Sequence, residues 1–231
     1  MWEKMSFETY LGILLLVGVL LLSSGAFTED EQMAASAEAK EITIAIDAGH
    51  GGDDPGKVGI NKVLEKEINL AISKKLEACL KKQKIKVEMT RQSDEGLYDA
   101  SSRNKKQEDM RRRCEKIDQA DPLFTVSIHQ NSYTSESVHG PQVFYYTHST
   151  EGQEIAKSIQ DALNEGLQVD RPREIKANDT YYLLKKTKKP TVIVECGFLS
   201  NESEAALLAT EEYQEKVAQA ICQGILAYLQ S

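Results

Sequence analysis

The chain has 231 residues, of which 41% are hydrophobic and 28% are charged, and its formal net charge is −8. These proportions allow one buried hydrophobic core and predict a single soluble domain. An acidic chain lacks the electrostatic character of a nucleic-acid-binding protein, so we expect no nucleic-acid partner. Basic clusters such as Arg111-Arg112-Arg113 are scattered among acidic residues, and we expect most of them to be solvated helix and loop faces.

The amino terminus differs in composition from the rest of the chain. Residues 11–22 are all apolar or glycine, Lys4 precedes them, and the small residues 23–26 follow. This run suits the core of a signal peptide better than a full membrane span, which needs roughly 20 residues, although Phe7 and Tyr10 could extend it into an uncleaved anchor. We therefore expect residues 1–26 to be a signal peptide or membrane anchor and the acidic, Ala-rich residues 27–40 to be a linker.

Strand-like and helix-like segments alternate through the remainder of the chain. Short β-branched runs predict strands at 42–47, 85–90, 123–129, 140–146 and 190–196, and helical segments are predicted at 66–82, 108–119, 150–167 and 212–230. Strands separated by helices imply crossover connections. The predicted fold is therefore α/β, a single three-layer domain with a largely parallel central sheet flanked by helices.

Four cysteines lie far apart, without the paired spacing of a zinc ribbon; they are Cys79, Cys114, Cys196 and Cys222. An even number of cysteines in an exported protein permits disulfides. Because three of them fall in predicted helices and one at a strand end, we expect small buried hydrophobic side chains instead.

Three predicted strands end on a residue that can bind a metal ion or transfer a proton. His50 follows the first strand in a glycine-rich loop, His129 ends the third, and Glu195 lies near the end of the last. The carboxyl ends of parallel strands meet in one crevice, so we expect these side chains to converge. Imidazole is a common zinc ligand, and catalytic zinc takes three protein ligands and leaves a fourth position open.

Three glutamates are candidates for the third metal ligand. Glu65 and Glu67 lie at the start of the helix after the His50 loop, where a carboxylate interacts favourably with the helix dipole, although Glu65 taken alone could be an ordinary helix residue. Glu195 belongs to an apolar strand, and a carboxylate carried into a core edge is costly unless it is paired or bound to a metal. A role in the site is therefore favoured for Glu195.

Five segments in order along the chain resemble one known family. They are IAIDAGHGG (44–52), LEKEINLAI (64–72), MTR (89–91), VSIHQN (126–131) and PTVIVECGFLSN (190–201). Together they look like the zinc-dependent N-acetylmuramoyl-L-alanine amidases of the amidase 3 group. The resemblance covers about residues 41–231, which would be the catalytic domain.

The resemblance implies a role for each residue of the site. His50, Glu65 and His129 would hold one zinc ion per chain, which favours Glu65 over Glu67. Glu195 would be the catalytic acid/base, taking a proton from the attacking water and returning it to the leaving nitrogen. The bond broken would join the lactyl group of N-acetylmuramic acid to L-alanine in peptidoglycan.

The resemblance also suggests roles for residues next to the ligands and a biological setting for the enzyme. Asp47 and Asn131 could orient a ligand or substrate, or serve only the loops, and His139 and His148 are expected at the surface. The short, single-domain form resembles spore-cortex amidases, which prepare muramic lactam synthesis. This setting implies an extracytoplasmic enzyme facing the cell wall, with peptidoglycan as substrate and an activator or lipoprotein partner left open. A zinc peptidase acting on stem peptides and a non-catalytic wall-binding adaptor are the alternatives.

Overall fold

The computed structural model describes residues 42–231, which contain six strands and six helices. The strands are β1 (Thr43–Ala48), β2 (Lys86–Met89), β3 (Phe124–Asn131), β4 (Gln142–Tyr146), β5 (Lys176–Asn178) and β6 (Thr191–Phe198). The helices are α1 (Glu65–Lys82), α2 (Lys105–Ala120), α3 (Thr150–Gly166), α4 (Tyr182–Lys186), α5 (Glu202–Leu208) and α6 (Glu211–Leu229). The predicted leader or anchor at 1–26 and the linker at 27–40 lie outside the described residues.

The strands form one sheet in the order β2-β1-β3-β6-β4-β5. β2, β1, β3 and β6 are parallel, whereas β4 pairs with β6 in the antiparallel sense and β5 runs parallel to β4. The parallel strands therefore end at the same edge of the sheet, as crossover connections require. The predicted α/β fold with a largely parallel central sheet is confirmed.

The two faces of the sheet are covered unequally. One series of alternate strand residues packs against α1, α3 and α6 in the main core; its central members are Ile44, Ile46, Val126, Ile128, Val192 and Val194. The other series faces α2 and α4, where Ala45 packs near Leu183 and Ile193 packs near Leu184. Because side chains alternate along a strand, Asp47, His129 and Glu195 continue this second series. The fold thus places all three side chains on the more thinly covered face.

A disulfide joins Cys79 on α1 to Cys222 on α6, with the two Cα atoms 6.4 Å apart. The expectation of free buried thiols is therefore wrong for this pair, and it is confirmed for Cys114 and Cys196. The sequence places the two joined cysteines in separate helices, and only the packing of α1 against α6 brings them within bonding reach.

Three short elements were not expected from the sequence, namely β5, α4 and α5. They are too short to show a clear hydrophobic period. α2 begins at Lys105 rather than at residue 108, because the side chain of Asn104 accepts a hydrogen bond from the Gln107 N–H and caps the helix. Within residues 42–231, no helix combines the length and hydrophobicity needed to cross a membrane.

Candidate metal centre

Three side chains from different elements converge at the carboxyl edge of the sheet. His50 follows β1, Glu65 is the first residue of α1, and His129 lies in β3. Glu65 Oε1 is 3.3 Å from His50 Nε2 and 3.0 Å from His129 Nδ1. One donor atom from each of the three residues lies within 4.8 Å of the other two. Two imidazoles and one carboxylate form a donor set that suits zinc and leaves a coordination position open.

The backbone around His50 is held in an unusual conformation. His50 itself has φ of 62°, in the left-handed region that non-glycine residues rarely adopt. Arg91 donates to the carbonyls of Ala48 and Gly49, while Arg113 donates to the carbonyls of Ala48 and His50. Both guanidinium groups are buried, and their hydrogen bonds hold the backbone of residues 48–50 in place.

Glycine is required where this loop passes the metal ligands. A Cβ on Gly49 would lie 2.3 Å from Nε2 of His129, and a Cβ on Gly56 would lie 2.5 Å from Oε2 of Glu65. Any side chain at these two positions would displace a ligand or the loop. The glycines therefore allow the close approach that the site needs.

Glu65 is fixed in place by hydrogen bonds from three parts of the chain. The Lys57 N–H donates to Oε2 at 2.7 Å, while the Gln130 N–H and the Asn69 side chain donate to Oε1 at 3.1 and 3.3 Å. Burial alone would raise the pKa of Glu65, but the hydrogen bonds and charges of the two histidines hold it well below its usual range. Glu67, the sequence's other candidate in this helix, is exposed.

His50 is oriented by a second carboxylate, because Asp54 Oδ2 lies 2.9 Å from His50 Nδ1. This contact leaves Nε2 facing Glu65. Burial lowers the pKa of His50, but its hydrogen bonds to Asp54 and Glu65 outweigh burial and raise that pKa to about 9. The same negative surroundings favour a cation at this point, and a carboxylate behind a ligand histidine is the usual support of a metal site.

Glu195 lies beside these ligands without a partner of its own. It pairs with His129 across β3 and β6, is only 8% exposed, and its Oε2 makes no hydrogen bond within the described part of the chain. Burial raises the pKa of Glu195 to about 7, although the charge of His129 opposes this rise. A carboxyl group with a pKa near neutrality can both accept and donate a proton.

Asp47 supports the site through Arg113, which in turn donates to the His50 carbonyl. Its carboxylate accepts hydrogen bonds from Arg113, Thr90 and Ser127 at 2.6–2.8 Å. Burial would raise its pKa, but the charge of Arg113 and the hydrogen bonds lower it to about 2. Asp47 is therefore an anion at neutral pH and anchors Arg113. Asn131, the other candidate for an orienting role, is half-buried and borders the cavity.

The sequence interpretation missed the supporting residues. Arg113 is buried, so the expectation of a solvated face is wrong for this member of the basic cluster. Arg91, Asn69 and Asp54 were not recognised as supports either. Arginine and asparagine in predicted helices or loops are normally exposed, and nothing in the local sequence indicates that these are buried.

A cavity of about 700 Å³ opens beside the four predicted site residues, and all four line it. Its walls also include Tyr181, Tyr182 and Met110, which provide apolar surface, and several charged residues from the His50 loop and α2. A cavity of this size lies within the usual range of ligand-binding sites.

The sequence is similar to a characterised family over most of its length. The profile of the N-acetylmuramoyl-L-alanine amidases matches residues 44–227. The germination-specific N-acetylmuramoyl-L-alanine amidase of Bacillus subtilis (strain 168) is 40% identical over 188 residues, covering 80% of this chain and 78% of that relative.

Solved structures agree with this similarity. The CwlD amidase from Clostridioides difficile, solved in complex with the GerS lipoprotein, matches with a TM-score of 0.79 and 41% identity, covering 82% of this chain and 98% of that one. An N-acetylmuramoyl-L-alanine amidase from Clostridium difficile 630 matches with a TM-score of 0.74 and 31% identity, covering 84% and 99%.

The fold and the site define a hydrolase with a candidate metal centre at the carboxyl edge of an α/β sheet. The chain belongs to the N-acetylmuramoyl-L-alanine amidase family. It is an enzyme that cleaves the amide bond between N-acetylmuramic acid and L-alanine in peptidoglycan, a substrate outside the cytoplasm. The fold, the family and the enzymatic activity predicted from the sequence are confirmed.

Proposed function

We propose that this amidase is a zinc enzyme in which His50, Glu65 and His129 hold one zinc ion and Glu195 is the catalytic acid/base. The observation that carries the proposal is the convergence of three donor atoms within 4.8 Å beside a buried carboxyl oxygen that has no hydrogen-bond partner among residues 42–231. The support of His50 by Asp54 and the three hydrogen bonds to Glu65 favour the same assignment, because metal ligands are usually oriented in this way.

Zinc in this position would supply Lewis-acid chemistry, polarising the scissile carbonyl and making water a stronger nucleophile near neutral pH. The protein supplies the proton transfers. Glu195 lines the cavity and its Oε2 makes no hydrogen bond within residues 42–231, so the carboxyl group can take a proton from the attacking water and return it to the departing nitrogen of L-alanine. The walls of the cavity hold the muramyl peptide against this carboxyl group.

We further propose that the enzyme acts in spore-cortex maturation, the step that precedes muramic lactam formation. The support is the name of the Bacillus subtilis relative, which is germination-specific. The CwlD amidase was solved with a lipoprotein, and a lipoprotein partner is proposed for this chain on that similarity. Residues 1–26 are proposed to export the enzyme or to anchor it at the membrane.

A zinc peptidase acting on stem peptides would use the same ligands on a different bond. The products separate the two activities, because only an amidase frees the amino group of L-alanine. A wall-binding adaptor would have no need for a buried carboxyl group with a pKa near 7.

The test is to incubate the full chain with purified peptidoglycan while measuring new amino-terminal alanine and bound zinc. We expect one zinc ion per chain and alanine release that is lost on chelation and restored by zinc. Release of other amino termini without alanine would favour the peptidase. Alanine release that persists in fully zinc-free protein would refute the zinc assignment.

A further inference from the structure

Six carboxylates and four Lys or Arg side chains line the cavity, and two of the lysines form no ion pair in residues 42–231. Most carboxylates that line it already have a cationic or imidazole partner; the pairs are Asp47–Arg113, Asp109–Arg113, Asp53–Lys105, Asp54–His50 and Glu65–His129. Lys57 and Lys106 also line the cavity, and neither lies within ion-pair distance of a carboxylate in residues 42–231. These two ammonium groups therefore border the cavity without an ion pair of their own, and their charges act only at longer range on Glu195 and Asp54.

The two lysines come from different elements, the loop that follows His50 and the first turn of α2. The backbone N–H of Lys57 donates to Glu65 at 2.7 Å, which places this residue directly beside the candidate metal ligands. Lys106 follows Lys105 in the first turn of α2, and Lys105 pairs with Asp53 at 2.6 Å. Both lysines are exposed, so a ligand that enters from solvent can form ion pairs with them.

We infer that Lys57 and Lys106 bind carboxylates of the peptide stem and make the enzyme selective for acidic muramyl peptides. The inference rests on the proposed function, because it assigns the cavity to the muramyl peptide. An ammonium group attracts a carboxylate more strongly than the neutral carboxamide of the same shape. The selectivity therefore concerns stems whose carboxylates close to L-alanine are free, in contrast to stems in which they are amidated.

The test compares two forms of one peptidoglycan. One form keeps its free carboxylates, and the other has been converted to carboxamides with carbodiimide and ammonia. Alanine release at limiting substrate gives kcat/KM for the zinc-loaded full chain on each form. We expect about a tenfold preference for the free carboxylates, because exposed ion pairs contribute modestly.

The matched variants are Lys57→Met and Lys106→Met, which remove the charge and keep most of the side-chain length. Each variant should reduce the preference by about threefold, and the double variant should cleave both forms at similar rates. Lys57→Arg should retain the preference. The control is Lys74→Ala, an exposed lysine on α1 that is not part of the cavity, and it should leave the preference unchanged.

The outcomes distinguish failure of the carboxylate-binding role from failure of the proposed function. If the wild type cleaves both forms equally, or if its preference survives in the double variant, the carboxylate-binding role is wrong while the amidase assignment stands. If zinc-loaded protein frees alanine from neither form, the proposed function itself is wrong, and the inference is rejected with it.

Discussion

His129 and Glu195 are direct register partners across β3 and β6, and their side chains leave the same face of the sheet at its carboxyl edge. The ladder shifts register immediately beyond this pair, between His129 and Asn131. Such irregularities occur frequently next to active sites, because they change the direction of a side chain. The pairing places a candidate proton carrier beside a candidate metal ligand.

Glu195→Gln should abolish catalysis without affecting zinc binding. Glutamine fills the same space but cannot accept and return a proton, so alanine release should fall by roughly 10²- to 10⁴-fold. Zinc content and melting temperature, measured on the same preparation, should match the wild type within error. Glu67→Gln, at an exposed position on α1, is the control and should remain fully active. Activity above a tenth of wild type in Glu195→Gln would exclude this residue as the acid/base.

Asp54→Asn should weaken zinc binding. The hydrogen bond between Asp54 and His50 lowers the pKa of Asp54 to about 2 and orients the imidazole. Loss of a carboxylate behind a ligand histidine typically reduces metal affinity by about 10- to 100-fold. Competition titration with a chromophoric chelator measures this affinity directly. The exposed Asp161→Asn on α3 should bind zinc normally, and equal affinities in both variants would argue against a role for Asp54.

The ion pair of Asp47 and Arg113 should make the fold sensitive to acid. The pKa of Asp47 is about 2 in the folded chain and 3.8 in its reference state, so folding favours the deprotonated carboxylate. This contribution, roughly 2 kcal/mol, is present above pH 4 and is lost as the pH falls from about 4 to 2. Urea unfolding between pH 2.5 and 7 should show the corresponding decrease in the free energy of unfolding.

Asp47→Asn should remove that part of the pH dependence and leave Arg113 with Asp109 as its remaining carboxylate partner. We expect a loss of about 3 kcal/mol at pH 7 and a smaller difference from wild type near pH 2.5. A difference that stays constant over the whole range would show that Asp47 does not titrate as described.

Removing the disulfide should lower stability. Cys79 and Cys222 are separated by 143 residues, and a crosslink over so long a loop contributes up to about 5 kcal/mol. The Cys79→Ala, Cys222→Ala double variant should therefore melt several degrees below the wild type. Reductant should lower the melting temperature of the wild type and leave the variant unchanged. An equal response of both proteins to reductant would show that the bond is not formed in solution.

The sequence predicted the strand ends well because hydrophobic runs and the residues that close them are local features. His50, His129 and Glu195 could be placed at one sheet edge from topology alone, whereas the choice of Glu65 over Glu67 depended on family resemblance. The residues that hold the ligands and the His50 loop in place could not be predicted. Arg113 enters the site from α2, and its buried position depends on how that helix packs against β1, which a single sequence does not encode in any local pattern.

The unequal covering of the sheet has a consequence for protein engineering. The side chains of α1, α3 and α6 form most of the core. In contrast, α4 is only five residues long and borders the cavity through Tyr182 and Leu183. Mutational libraries limited to Tyr181 and Tyr182 would alter the wall that meets the substrate while leaving the buried Leu183 and Leu184 in place. Such libraries should yield folded proteins at high frequency, which makes this wall the natural starting point for changing which muramyl peptides the enzyme accepts.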